Sequence, residues 1–84
     1  MIPLHELLSR IQWDTEFGRG EFWIGYLDHE RGELVHVPLK EVHHDPDSHF
    51  CFDVTDEEGI AHSVPYHRVK EVWKNGALIW QRVH

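Results

Sequence analysis

Pro65-Tyr66-His67-Arg68-Val69, then Lys70-Glu71-Val72-Trp73-Lys74, then Asn75-Gly76 and Ala77-Leu78-Ile79-Trp80-Gln81-Arg82, is the stretch that decides the fold. Asn-Gly between two apolar runs is the strongest short hairpin signal, because both residues tolerate the positive φ of a tight turn. A two-residue turn pairs Trp73 with Leu78, Glu71 with Trp80 and Val69 with Arg82. The other face carries Val72 and Ile79 beside Lys70, Lys74, Ala77 and Gln81. The pattern leaves open which face is buried. The Pro-x-His-Arg corner sets an imidazole beside a guanidinium where the chain reverses, and both groups suit the grip of a phosphate. The pairing brings Arg82 back beside that corner, with Trp73 and Trp80 on its face as platforms for stacking a base.

Two more hairpins precede this one. Phe22-Trp23-Ile24-Gly25-Tyr26-Leu27-Asp28 turns through His29-Glu30-Arg31-Gly32 and returns as Glu33-Leu34-Val35-His36-Val37. Opposing Asp28 to Glu33 puts Phe22, Ile24, Tyr26, Val35, Val37 and Leu39 on one face. Trp23, Leu27 and Leu34 lie on the other, so this hairpin reads as central or covered. Gly25 at mid-strand marks a close approach. Pro38 ends the strand, and Leu39-Lys40-Glu41-Val42 reads as a helical turn. Next, Asp56 faces Ile60 across Glu57-Glu58-Gly59, with Gly59 in the left-handed position of a bulged turn. Phe50, Phe52, Val54, Ile60, His62 and Val64 then share a face, so His62 points to the apolar side. Upstream, Leu4, Leu7, Leu8 and Ile11 make one helical stripe, with Pro3 at its first position and Trp13 capping it. No repeats, low-complexity segments or linkers are visible. The expectation is a single α+β domain over residues 1–84. Its N-terminal helix packs on about six antiparallel strands in three hairpins, as a curled sheet or partly open barrel.

Composition narrows the functions. Eighty-four residues give one modest core, and 15 Asp and Glu stand against 8 Lys and Arg. General binding to a nucleic-acid backbone needs a broad basic face, which this chain lacks. Contact with nucleic acid is therefore confined to a small pocket for one end or group. Nine histidines add charge as pH falls toward 6, so anion binding should strengthen below neutrality. The single cysteine, Cys51, reads as a small buried hydrophobe. Nothing resembles a signal peptide and no apolar run approaches a membrane span, so no membrane partner and a cytoplasmic setting are expected.

Other candidates are weaker. His62 and His67, opening onto one pocket, would form an acid–base pair able to open a cyclic phosphodiester. His43, His44 and His49, with Asp45 and Asp47, have metal-ligand chemistry but match no defined motif, so a solvated loop is the plainer reading. Gly18-x-Gly20 is too short for a nucleotide loop. There is no nucleophile elbow and no carboxylate pair of defined spacing, so neither a catalytic set nor a cofactor is expected.

The residues also carry a likeness. Ile2-Pro3-Leu4 with Leu7-Leu8 and Ile11, Trp13-Asp14, Tyr26-Leu27-Asp28, Pro65-x-His67-Arg68-Val69 and Gly76-x-Leu78-Ile79-Trp80-x-Arg82 resemble the RNA cyclic group end recognition domain family. The likeness spans nearly the whole chain and is most specific from Val64 to Arg82. It implies non-catalytic binding of RNA termini, such as a 2′,3′-cyclic phosphate, in RNA repair or tRNA metabolism. Partners would be RNA 3′ ends or RNA-processing proteins. The likeness carries that role to His67, Arg68, Trp80 and Arg82, and less directly to Trp13, Asp14, Tyr26 and Asp28. Trp73 joins the set by its predicted pairing. The alternatives are a weak phosphoesterase using His62 and His67, and a protein-interaction or metal-responsive module using the histidine loop.

Overall fold

A computed structural model describes residues 2–44, 47 and 50–82. Helix α1 spans Leu4–Trp13. Six strands follow: β1 Phe22–Asp28, β2 Glu33–Pro38, β3 Cys51–Thr55, β4 Ala61–Pro65, β5 Val69–Lys74 and β6 Ala77–Gln81. Single 3-10 turns, Leu39–Glu41 and Tyr66–Arg68, follow the second and fourth strands. The chain is α+β with three antiparallel hairpins, as its sequence predicts. The strands do not form one curled sheet, however. They divide into a four-stranded sheet ordered β2-β1-β5-β6 and a separate β3-β4 pair, with no closed barrel. No helix among the described residues is long and apolar enough to cross a membrane.

The two upstream hairpins hold their predicted registers. Asp28 opposes Glu33 and Tyr26 opposes Val35. The Asp56 backbone N–H donates to the Ile60 carbonyl at 3.0 Å, and Gly59 has a φ of 82°. β1 is central, as expected of a strand apolar on both sides. Gly25 is a close approach: a Cβ there would lie 2.9 Å from Glu71 Oε1 and 3.0 Å from His36 Nε2. The glycine makes room for His36 Nε2–H to donate across β1 to Glu71 at 2.8 Å.

The last hairpin departs from its predicted register, and the departure shapes the molecule. Trp73 pairs with Leu78, but the next pair is Val72 with Trp80, because Ile79 is an extra residue that bulges. A second irregularity, where β5 meets β1, lets Val69 pair with Tyr26 while Glu71 pairs with Gly25. One inserted residue reverses the facing of everything beyond it. Val69, Val72 and Trp80 therefore all turn inward, and the strict alternation predicted from the sequence fails. Glu71 pairs with Gln81, not Trp80, and the Arg82 amide donates to the Lys70 carbonyl, one position from the expected Val69.

One core joins both sheets and the helix. Leu4 and Leu7 pack with Phe22, Ile24, Val42, Phe52, Val54, Val64, Val69, Val72 and Trp80. Trp13 does not cap the helical stripe. It sits roughly 200° around the helix from Ile11, and it is 75% exposed. Pro3 precedes the helix rather than opening it, and its carbonyl accepts from Glu6 and Leu7. Phe50, Ile60 and His62 share the predicted face but lie outside the core, exposed. Cys51 is only half-buried.

The fold also contains a repeat that the sequence reading misses. Residues 22–42 and 50–69 each form a hairpin that ends in Val-Pro, a 3-10 turn and a second valine. Pro38 and Pro65 have φ of −64° and ψ of 134° and 140°. Asp28 and Asp56 each accept backbone N–H bonds in their hairpin loops. Shared identities reduce to Val-Pro-x-x-x-Val and a few turn residues, too few to stand out by eye. The second copy of this plan delivers the Tyr66–Arg68 corner. In urea unfolding, Val72→Ala should cost about 2 kcal/mol, near the value of a buried valine, and Ile79→Ala under about 1 kcal/mol. Equal losses would contradict the bulge.

Candidate functional site

Helix α1 and the Tyr66–Arg68 corner border one open groove of about 720 Å³. The helix lines it with Leu4, Leu8 and Ile11 and, one stripe over, with His5, Ser9 and Gln12. Those polar residues recur at i, i+4 and i+7, so they share one helical face. Leu39, His44, Tyr66 and His67 line it from the loops, and Trp80 and Arg82 from the end of β6. The result is an apolar floor with an imidazole, amide and guanidinium rim.

Trp80 fixes the geometry. Its ring is 6% exposed, and its indole N–H donates to the Ile2 carbonyl at 2.8 Å, across 78 residues of chain. Arg82 lies over that ring, its guanidinium carbon 5.2 Å from the centroid. Arg82 Nε donates to the Val69 carbonyl at 3.1 Å. Backbone and ring hold the stem of the guanidinium, and Arg82 has no ion pair among the described residues. A planar guanidinium held this way keeps its terminal N–H groups for an anion.

The corner supplies the opposite rim. Tyr66 is placed by its backbone N–H, which donates to the Phe50 carbonyl at 2.8 Å. Its ring packs 5.0 Å from Phe52 and lies nearly parallel to His44, at 11° and 6.1 Å. The Tyr66 hydroxyl and His44 Nδ1 share a bond of 2.7 Å. Burial, and then the neighbouring His43, push the His44 pKa below its ordinary value, favouring a neutral ring. Burial pushes the Tyr66 phenol up. His67 is exposed at the corner. Arg68 is half-buried and does not line the groove, and its Nε is buried without a hydrogen-bond partner.

The other predicted residues lie elsewhere. Trp73 occupies the outer face of the sheet, cross-strand from Trp23, and donates to Glu71 at 3.2 Å. The bulge at Ile79 separates it from Trp80 and Arg82. His62 sits near the β3-β4 tip and donates to Asp56 Oδ2 at 2.6 Å, so His62 and His67 do not share a pocket. Asp28 caps its own loop, and Tyr26 packs edge-on to Phe52 at 6.3 Å. Asp14 accepts from the amides of Glu16 and Phe17 and lies 3.7 Å from Arg10. Phe17's amide, ahead of the other contributors, holds its carboxyl low. Trp13 borders a shallow trough on the outer face of the helix with Asp14. His43 makes a bridge to Asp53; His49 and Asp45 lie outside the described residues. Among those described, no cluster of three His, Cys, Asp or Glu is arranged to hold a metal ion.

His5, His44, Ser9 and Gln12 were not singled out as anion ligands by the sequence. The usable signal was the His5-Ser9-Gln12 stripe flanking the apolar one, which marks a helix edge facing a polar-rimmed groove.

The Asp56–His62 pair should set a pH profile of stability. The shared bond is the first cause of both a raised His62 and a lowered Asp56. A raised histidine stabilises fully below its unfolded value of 6.5 and loses this as pH climbs through the folded one. A lowered aspartate stabilises above its unfolded 3.8 and loses this as pH drops through the folded one. The pair thus contributes most between those two values. Thermal melts should show His62→Ala losing less stability than the parent on going from about pH 6 to about pH 8. Parallel curves would argue against the pair.

No solved structure matches the chain. Residues 1–82 match a protein family over nearly the full chain, including the Pro-x-His-Arg corner and the Trp-x-Arg strand that meet at the groove, and the chain belongs to that family, the MJ1316 RNA cyclic group end recognition domain.

Proposed function

We propose that the groove binds the 3′ terminus of an RNA ending in a 2′,3′-cyclic phosphate or a related processed group, without chemistry on it. The family's description supports this reading. The observation that carries it is Arg82, laid over Trp80 and opening onto the same groove as His5, His44 and His67. Arg82 supplies charge, and the three imidazoles supply hydrogen bonds to phosphate oxygens. Arg68, behind the corner, adds positive potential. Trp80, being buried, acts as the bed for Arg82 and part of the floor rather than as a free stacking platform. Trp73 has no part in this groove. A place in RNA repair or tRNA metabolism in the cytoplasm follows from this reading.

Short RNAs that differ only in their end group test the reading. A cyclic-phosphate end should bind tighter than a 3′-hydroxyl end. Arg82→Ala should lose about tenfold or more, as expected for a charge-assisted hydrogen bond of ~1.5–3 kcal/mol. His67→Ala should lose less. Equal affinity for all ends would defeat the proposal. Release of a phosphate-monoester product that disappears in His67→Ala would replace binding by catalysis.

A further inference from the structure

The protein around the groove is built to repel the rest of an RNA. Net charge is −7 with histidines neutral. Three of the eight Lys and Arg residues are tied to the protein's own groups. Arg10 lies 3.7 Å from Asp14 and stacks over Phe17 at 4.1 Å. Arg31 pairs with Asp28 in the first hairpin loop. Lys74 donates to the Phe17 carbonyl at 2.8 Å and lies over the Phe17 ring. A strand leaving the groove over the outer face of helix α1 meets Glu6 and Asp14. Binding of single strands along their length needs a positive groove that tracks several phosphates, with site sizes of about 4–16 nucleotides. Arg82 is the one Lys or Arg that lines the groove among the described residues.

The groove itself has the opposite character. Its volume, about 720 Å³, falls in the range of roughly 300–1,000 Å³ typical of small-molecule sites. Leu8, Ile11 and Leu39 offer apolar surface for a base and the carbon face of a ribose. Arg82, His67 and His5 offer donors for one phosphate. An anion alone would leave that apolar floor unused, and a long strand would gain nothing beyond it.

We infer that the groove is a receptor for one terminal nucleotide, so that free nucleoside 2′,3′-cyclic monophosphates are ligands in their own right, held about as tightly as RNA ends carrying the same group. The inference rests on the reading of the groove as a cyclic-phosphate site. It adds that the polymer contributes no affinity.

Calorimetric titration separates these claims. The ligands are a nucleoside 2′,3′-cyclic monophosphate, a decamer ending in that same nucleotide and group, and the decamer with a 3′-hydroxyl, each at two salt concentrations. The monophosphate and cyclic decamer should agree within about threefold and compete for one site, and the cyclic decamer should give a log–log salt slope near −0.7, the value for one neutralised phosphate of a single strand. His5→Ala, on the exposed face of the helix, should weaken both to the same degree. A cyclic decamer more than about tenfold tighter, with a slope steeper than about −2, would overturn the single-nucleotide inference and leave end recognition standing. Binding by none of the three, or equal binding by the hydroxyl decamer, would overturn both.

Discussion

Trp80 couples helix α1 to the last strand, and the rest of the site depends on that coupling. Its indole N–H donates to the Ile2 carbonyl, its ring fills the space between helix and sheet, and the face of that ring carries Arg82. The ring reaches this position only because Ile79 bulges out of the β5-β6 ladder. Without the extra residue, Trp80 would turn to the other sheet face, and the helix would lose that hydrogen bond and part of its packing, keeping Leu4 and Leu7 in the core. Removing a buried tryptophan typically costs about 3–5 kcal/mol. A chain of this length has roughly 4–13 kcal/mol in total. One side chain therefore holds a large share of the fold and also sets the floor of the groove.

The second constraint is charge. An acidic protein that binds an anion must do so locally, and the groove meets that requirement with few groups. Arg82 has its stem fixed by a backbone carbonyl and an aromatic face, so little of its flexibility remains to be lost on binding. His44 is aligned by the Tyr66 hydroxyl and kept neutral by burial, which makes it a donor through one N–H rather than a second full charge. Imidazoles around an apolar floor give hydrogen bonding without a strong long-range field. That arrangement favours discrimination between end groups over attraction to any polyanion.

Much of the fold was legible because turn chemistry is local. Asn75-Gly76, with φ of 50° and 83°, and Gly59, at 82°, fixed two hairpins, and the Asp28–Glu33 register followed from face consistency. The bulges were not legible. Val69 and Val72 three apart, and Trp80 beside Ile79, fit either a regular ladder with one face exposed or a bulged one with both valines inside. Only packing against the helix decides. His62 was placed on the correct face but in the wrong environment, because alternation reports which side a residue points to and not whether the core extends that far. The Pro-x-His-Arg corner and the Trp-x-Arg strand did meet, though through a different register from the one that suggested it. His5 and His44 were missed as groove residues because their partners come from segments far apart in the chain.

Amide and imidazole NMR during addition of an RNA ending in a 2′,3′-cyclic phosphate tests the groove as the binding site. Shifts should concentrate on His5, Ser9, His44, His67 and Arg82, with Trp23, Trp73 and the His62–Asp56 pair unmoved. Shifts centred on the outer sheet face around Trp23 and Trp73, with the groove silent, would contradict that assignment.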